Sequence, residues 1–328
     1  GRKKKILEND EETIRIDTDV LPDYTNDIIV QKLPKQDNFF DNKPIISTMN
    51  NREEFINYIN SFFKKKKYIK LDDAKKSKDD KSLYKNQKII FDYLNIYSPY
   101  RGLLIYHGLG SGKTCASIAV AENFLASASS VSIALTEGIM NPKKIVVLTP
   151  KSLRKNYIEQ LKECGNKLFR KNQFWEFVPI SKDYPVELLS KYLHLDKEYI
   201  EKKANPNPSM KKKGGAWMMD VRKSSNYVTL NAKQKKSLDE QLNKMIEEKY
   251  EFLSYNGLTT KFKNEIKKKN ADNPFDNKVV IIDEAHNFIS RIVNKLGKTN
   301  KEQINDIDIK VSLKLYEFLM SAQNTRII

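Results

Sequence analysis

The chain has 328 residues, of which 39% are hydrophobic, and it carries a net charge of +17. That length allows one large domain or two small ones, and the hydrophobic share lies below the ~45–50% of an average globular protein. No apolar run approaches ~18 residues, which excludes a helical membrane span. The two cysteines, Cys115 and Cys164, exclude a cysteine metal cluster and imply no disulfide framework.

Sparse cysteine usage fits a reducing, intracellular setting. The positive balance suits a polyanionic partner, nucleic acid above all. Most of it is lysine, which reads phosphate less specifically than arginine, and a solubilising composition bias would give the same charge. Residues 1–48 are charged and broken by Pro22, Pro34 and Pro44, and they read as a disordered arm. The start, GRKKKILEND, has no apolar h-region and no Met, so the chain reads as a piece of a longer protein. Arg2 to Lys5 read as a solvated basic end, with a nuclear-type signal or a phosphate-touching tail as the alternatives.

Asn50 or Asn51 caps a predicted helix from Arg52 to about Phe63. Phe55, Ile56, Ile59, Phe62 and Phe63 fall on one face of it. A charged linker over 72–81 follows. A second helix opens at Leu83, carries Gln87 and runs to Leu94, and Ser98-Pro99-Tyr100 ends it. Leu103 to Tyr106 is a short apolar run, predicted to be a buried strand. His107 to Gly112 is a glycine-rich turn, then come Lys113 and Thr114, and Cys115 to Ala126 reads as a helix of small and apolar residues.

Strand, glycine turn, Gly-Lys-Thr and helix is the setting in which a phosphate-binding loop works. Glycines let backbone N–H groups converge on an anion at a helix N-terminus. Gly108, Leu109, Gly110, Ser111 and Gly112 make the cradle. Lys113 reaches the β- and γ-phosphates, and the Thr114 hydroxyl ligates Mg²⁺. The general motif has glycine where this chain has His107, and Gly108 and Gly110 supply the freedom instead.

Lys144 to Leu148 is a second buried strand. It leads into Thr149-Pro150-Lys151-Ser152 and a helix through Glu163. Thr149, Lys151 and a helix start at Ser152 are suited to a nucleic-acid phosphate, although an ordinary strand-to-helix turn with a capping Ser reads the same way. From 166 to 248 the signal thins to an insertion with a charged helix over 233–249 and a lone, structural His194. Lys249 to Tyr255 returns as a strand.

Val279 to Ile282 is a third apolar strand, and it delivers Asp283 and Glu284 at its C-terminal end, the edge where ligands bind in open α/β sheets. Asp283 holds Mg²⁺ in this reading, Glu284 orients or deprotonates the attacking water, and His286 relays the nucleotide state. An amphipathic helix over 310–322 and an apolar segment over 325–328 close the chain.

HGLGSGKT, VVLTPKSL, VVIIDEAHN and SAQNTRII, with Gln87 before them, stand in the order of superfamily 2 helicase motifs. YRGLLIYHGLGSGKTCASIA and NREEFINYINSFF resemble the DEAH-box helicases of nucleocytoplasmic large DNA viruses, poxvirus transcription ATPases among them. The resemblance covers about residues 50–328 and is weakest over 166–248.

It implies a RecA-like α/β lobe, a P-loop NTPase with a mostly parallel sheet flanked by helices and a largely helical insertion. The lobe spans 49–328, and a second lobe with arginine fingers is expected in the same polypeptide. It also implies ATP and Mg²⁺, Gln87 on the adenine edge, and Lys113, Asp283 and Glu284 in catalysis. Implied partners are DNA or RNA and a viral RNA polymerase, with no membrane, in infected-cell cytoplasm or virion. Two functions stay open: an ATP-driven helicase or translocase, and a transcription initiation or termination factor that remodels a polymerase complex without unwinding duplex. A P-loop kinase is disfavoured, because Asp-Glu-Ala-His is not expected there.

Overall fold

The structure is a computed structural model, and it describes residues 29, 31–33, 53–65, 85–94, 100–108, 110–134, 144–206, 213–254, 273–296 and 307–328. In chain order the elements are α1 (Glu53–Lys65), α2 (Lys85–Tyr93), α3 (Lys113–Ala134), β1 (Ile145–Leu148), α4 (Arg154–Cys164), β2 (Trp175–Pro179), α5 (Val186–Leu193), α6 (Lys197–Lys202), β3 (Gly215–Met219), α7 (Ala232–Lys249), β4 (Tyr250–Leu253), β5 (Val279–Ile282), α8 (Ala285–Leu296), α9 (Ile307–Ser321) and β6 (Arg326–Ile327). Among the described residues no helix is long and apolar enough to cross a membrane.

The sheet runs β4-β1-β5-β6, and every pairing in it is parallel. Successive side chains of a strand face opposite sides, and here both sides are covered. Ile145, Val147, Val279 and Ile281 share a core with α3, α4 and α7, whereas Val146, Leu148 and Val280 pack with Phe288 of α8 and with Leu315 and Leu319 of α9. Burial on both faces is why β1 and β5 read as continuous apolar runs. The result is an α/β sandwich consistent with a RecA-like lobe.

The segment expected to be a buried strand before the glycine turn is not one. Only Gly102 bridges β6, at Ile327, supported by bonds from the Leu103 N–H to the Ile327 carbonyl and from the Ile327 N–H to the Arg101 carbonyl, each 3.0 Å. Leu104 and Tyr106 are 76% and 91% exposed. β6 has two residues, so the ladder ends with Leu103. Glycine is required at 102 because a Cβ there would stand 2.5 Å from the Ile327 carbonyl oxygen.

The insertion is not purely helical. β2 and β3 pair antiparallel, from Trp175 opposite Met219 to Pro179 opposite Gly215. Trp175, Trp217 and Met218 lie in one continuous cluster with Ile118 and Val147 of the main lobe. The charged helix is α7, held at its start by reciprocal bonds between Asn231 and Gln234. Within the stretch read as a disordered arm, Ile29 is fully buried, and Lys32 pairs with Glu176 and donates to the Tyr184 hydroxyl at 2.8 Å.

The two cysteines are bonded to each other, contrary to the expectation from composition. Cys115 in the first turn of α3 meets Cys164 at the end of α4, with Cα atoms 5.7 Å apart and 49 positions apart in sequence. Nothing in that spacing signals that α3 packs against α4.

Candidate nucleotide site

Gly110 and Gly112 hold φ of 75° and 76°, the left-handed region that glycine enters without strain. They turn the chain into α3 at Lys113. Lys113 Nζ donates to the carbonyls of His107 at 3.0 Å and Gly108 at 3.2 Å, so the ammonium spans the mouth of the loop. The loop is braced from outside by α2: Asn86 Nδ2 donates to the Ser111 carbonyl at 3.2 Å and Gln87 Nε2 to the Gly112 carbonyl at 3.0 Å. Gln87 is 3% exposed, and the structure thus turns its amide donor onto the loop. Two polar atoms of this loop, His107 Nδ1 and Ser111 Oγ, are buried with no hydrogen-bond partner. Such orphans are rare in folded proteins, and with the flanking N–H groups and Lys113 they suit a phosphate. Leu109 lies outside the described residues.

β5 and β1 are neighbours in register, with Leu148 opposite Ile282. The next residue of each strand therefore also meets its counterpart. The Asp283 N–H bonds the Leu148 carbonyl at 2.9 Å, and Thr149 Oγ1 donates to Asp283 Oδ2 at 3.0 Å. Burial raises the Asp283 pKa, and the charge of Glu284 adds to this, while the Thr149 hydrogen bond and the charge of Lys113 oppose it. The last influence places the loop lysine and this carboxylate in one electrostatic site. Thr114 and Asp283 offer oxygen donors, the set Mg²⁺ prefers.

Glu284 stands at φ 54°, a left-handed conformation in a residue other than glycine. That costs roughly 1–2 kcal/mol, and such strain gathers at functional positions. Its carboxylate lies 3.3 Å from His286 Nδ1, and both side chains are solvent-accessible. Water can therefore reach Glu284, whereas Asp283 is turned inward.

The expected nucleic-acid residues divide. Lys151 and Ser152 are exposed on the turn after β1, but Thr149 is 1% exposed and its hydroxyl faces Asp283. Helix α4 starts at Arg154, after Leu153, and no side chain caps it, so Ser152 is not the cap. Sequence reading missed Asn86 and the Thr149–Asp283 bond. The second was accessible in principle, since two buried parallel strands aligned by their ends bring 149 beside 283. Among the described residues no cluster of three or more His, Cys, Asp or Glu could hold a metal.

The comparisons with known proteins agree on one class. The chain is 38% identical over 76 residues to a protein of Acanthamoeba polyphaga mimivirus named "Putative ATP-dependent RNA helicase", covering 23% of this chain and 11% of that protein. It is 39% identical over 77 residues to a "Putative helicase" of Invertebrate iridescent virus 3, covering 23% of this chain and 8% of the other. A second mimivirus protein, also named "Putative ATP-dependent RNA helicase", is 30% identical over 120 residues, 35% of this chain and 10% of that one. The matched part thus spans about a tenth of the length of these relatives. No family model and no solved structure matches the chain. Over a quarter to a third of its length the chain is similar to helicase-type ATPases of large DNA viruses.

Proposed function

We infer that this chain is the ATP-binding, RecA-like lobe of a superfamily 2, DEAH-box nucleic-acid-dependent ATPase that couples hydrolysis to unwinding or translocation. The carrying observation is that the Lys113 loop follows a segment that bridges β6 in parallel at Gly102, and the Asp283–Glu284 pair follows β5, so both leave one parallel sheet at its C-terminal edge. The helicase names of its viral relatives support the same reading.

Lys113 exchanges the two loop carbonyls for the β- and γ-phosphates, while the N–H groups of the glycine turn and the start of α3 face the anion. Thr114 and Asp283 are the residues that would hold Mg²⁺, which when bound neutralises charge on the phosphate oxygens. Glu284, open to water, orients or deprotonates the nucleophile, and His286 beside it relays the nucleotide state. Lys151 and Ser152 meet the nucleic-acid backbone. A second lobe of the same polypeptide supplies the cationic finger, worth ~10³–10⁵ in rate where measured. Viral transcription or replication, in infected-cell cytoplasm or virion, is the setting we propose from the sequence resemblance.

The test is ATP turnover by the full-length protein with and without DNA and RNA, followed by strand displacement. Turnover stimulated by nucleic acid with strand displacement supports the motor. Stimulated turnover without displacement supports the polymerase-remodelling factor instead. No ATP binding in the unmutated protein refutes both.

A further inference from the structure

Thr149 occupies a position with little freedom. It is 1% exposed. Its N–H bonds the Leu253 carbonyl of β4 at 3.0 Å, and the carbonyl of the preceding Leu148 accepts the Asp283 N–H at 2.9 Å. The backbone at 148–149 is therefore tied to a strand on each side. From this fixed point the hydroxyl donates to Asp283 Oδ2 at 3.0 Å. A β-branched side chain has few rotamers, and a buried hydroxyl is costly unless hydrogen-bonded. Carboxylates that bind metals are commonly oriented by such an outer hydrogen bond.

We propose that Thr149 is a positioning residue for Asp283, its hydroxyl setting the rotation of the carboxylate so that it meets a divalent cation at the nucleotide. This rests on the nucleotide-site reading above. It moves Thr149 from the nucleic-acid surface to the metal side of the site and leaves Lys151 and Ser152 as the exposed part of the turn. A purely structural role, tying β1 to β5, is the competing explanation. It predicts lost stability with no change specific to the cation.

The experiment measures binding of a fluorescent ADP to the full-length protein while MgCl₂ is titrated, and again in EDTA. Thr149→Val removes the hydroxyl at nearly constant shape. It is expected to raise the magnesium midpoint roughly 10-fold, the lower end of what losing an outer-shell partner costs, while binding in EDTA is unchanged. Thr149→Ser should recover most of the loss. On an Asp283→Asn background Thr149→Val should add nothing, because the partner it positions is already gone.

An unchanged magnesium midpoint in Thr149→Val overturns the proposal. So does an equal further loss on the Asp283→Asn background, which is the signature of a structural role. If Thr149→Val does not fold by circular dichroism, Thr149→Ala is read against the same criteria. If the unmutated protein shows no magnesium-dependent nucleotide binding, the site reading falls and the proposal falls with it. A changed midpoint is thus separable from a missing site.

Discussion

Reducing the Cys115–Cys164 bond should destabilise the protein without rearranging its native fold. Both cysteines sit on helices that hold their places through the core: α3 through Ile118 and Val120, and α4 through Tyr157 and Leu161, all nearly or fully buried. The bond therefore acts mainly on the unfolded chain, closing a loop set by its 49-residue separation. In the chain-entropy account a loop of that length is worth about 4 kcal/mol, with engineered bonds often giving less. Against a total stability of about 5–15 kcal/mol, this is a large share. The assay is urea unfolding of oxidised and reduced protein, with thiols counted by mass spectrometry. Reduction should lower the midpoint, and it should also raise the slope, because the unfolded state expands when the link is cut. At roughly 2 °C per kcal/mol the melting temperature falls by about 8 °C. Coincident curves from verified oxidised and reduced samples would refute the reasoning, and two free thiols in protein kept under oxidising conditions would refute the bond.

Gly112→Ala would force a left-handed alanine and set its Cβ 2.3 Å from Gln87 Nε2. An expected loss of roughly 2 kcal/mol in folding, with weakened ATP binding, is read by thermal shift with and without nucleotide. Burial lowers the His194 pKa from its ordinary value of 6.5, and the nearby charge of Lys249 lowers it further. The unfolded chain then binds the proton more readily, so stability is lost as pH falls through and below about 6.5. His194→Asn keeps the left-handed φ of 51° accessible and should flatten that loss, seen as a smaller drop in melting temperature between pH 7.5 and 5.5. Glu284→Gln should retain ATP binding and cut turnover of the full-length protein by roughly 10²-fold. Turnover near the unmutated rate removes Glu284 from the chemistry.

The elements that sequence reading reached are those with a one-dimensional signature. β1 and β5 are apolar throughout because both faces are buried, and the glycine loop announces itself by composition. The elements it missed depend on distant partners. Residues 175–179 mix Glu176 and Pro179 among the apolar residues, and among the described residues they pair only with Gly215–Met219. Leu103 to Tyr106 has a strand's composition, but its neighbour β6 is two residues long. The carboxylates and the lysine of the site were legible as a motif. Asn86, Gln87 and Thr149 acquire their contacts from packing, and the Thr149 hydroxyl is engaged by Asp283.

The shared cluster around Trp175 and Trp217 has a practical consequence for anyone trimming this protein. Residues 166–248 cannot be excised as an appendage, because the buried Lys162 of α4 would lose Asp239, an ion-pair partner at 2.6 Å, and Trp175 and Trp217 belong to the same buried cluster as Leu161 and Ile118. A shortened chain lacking them is expected to open that cluster to water and to aggregate rather than report on the nucleotide loop.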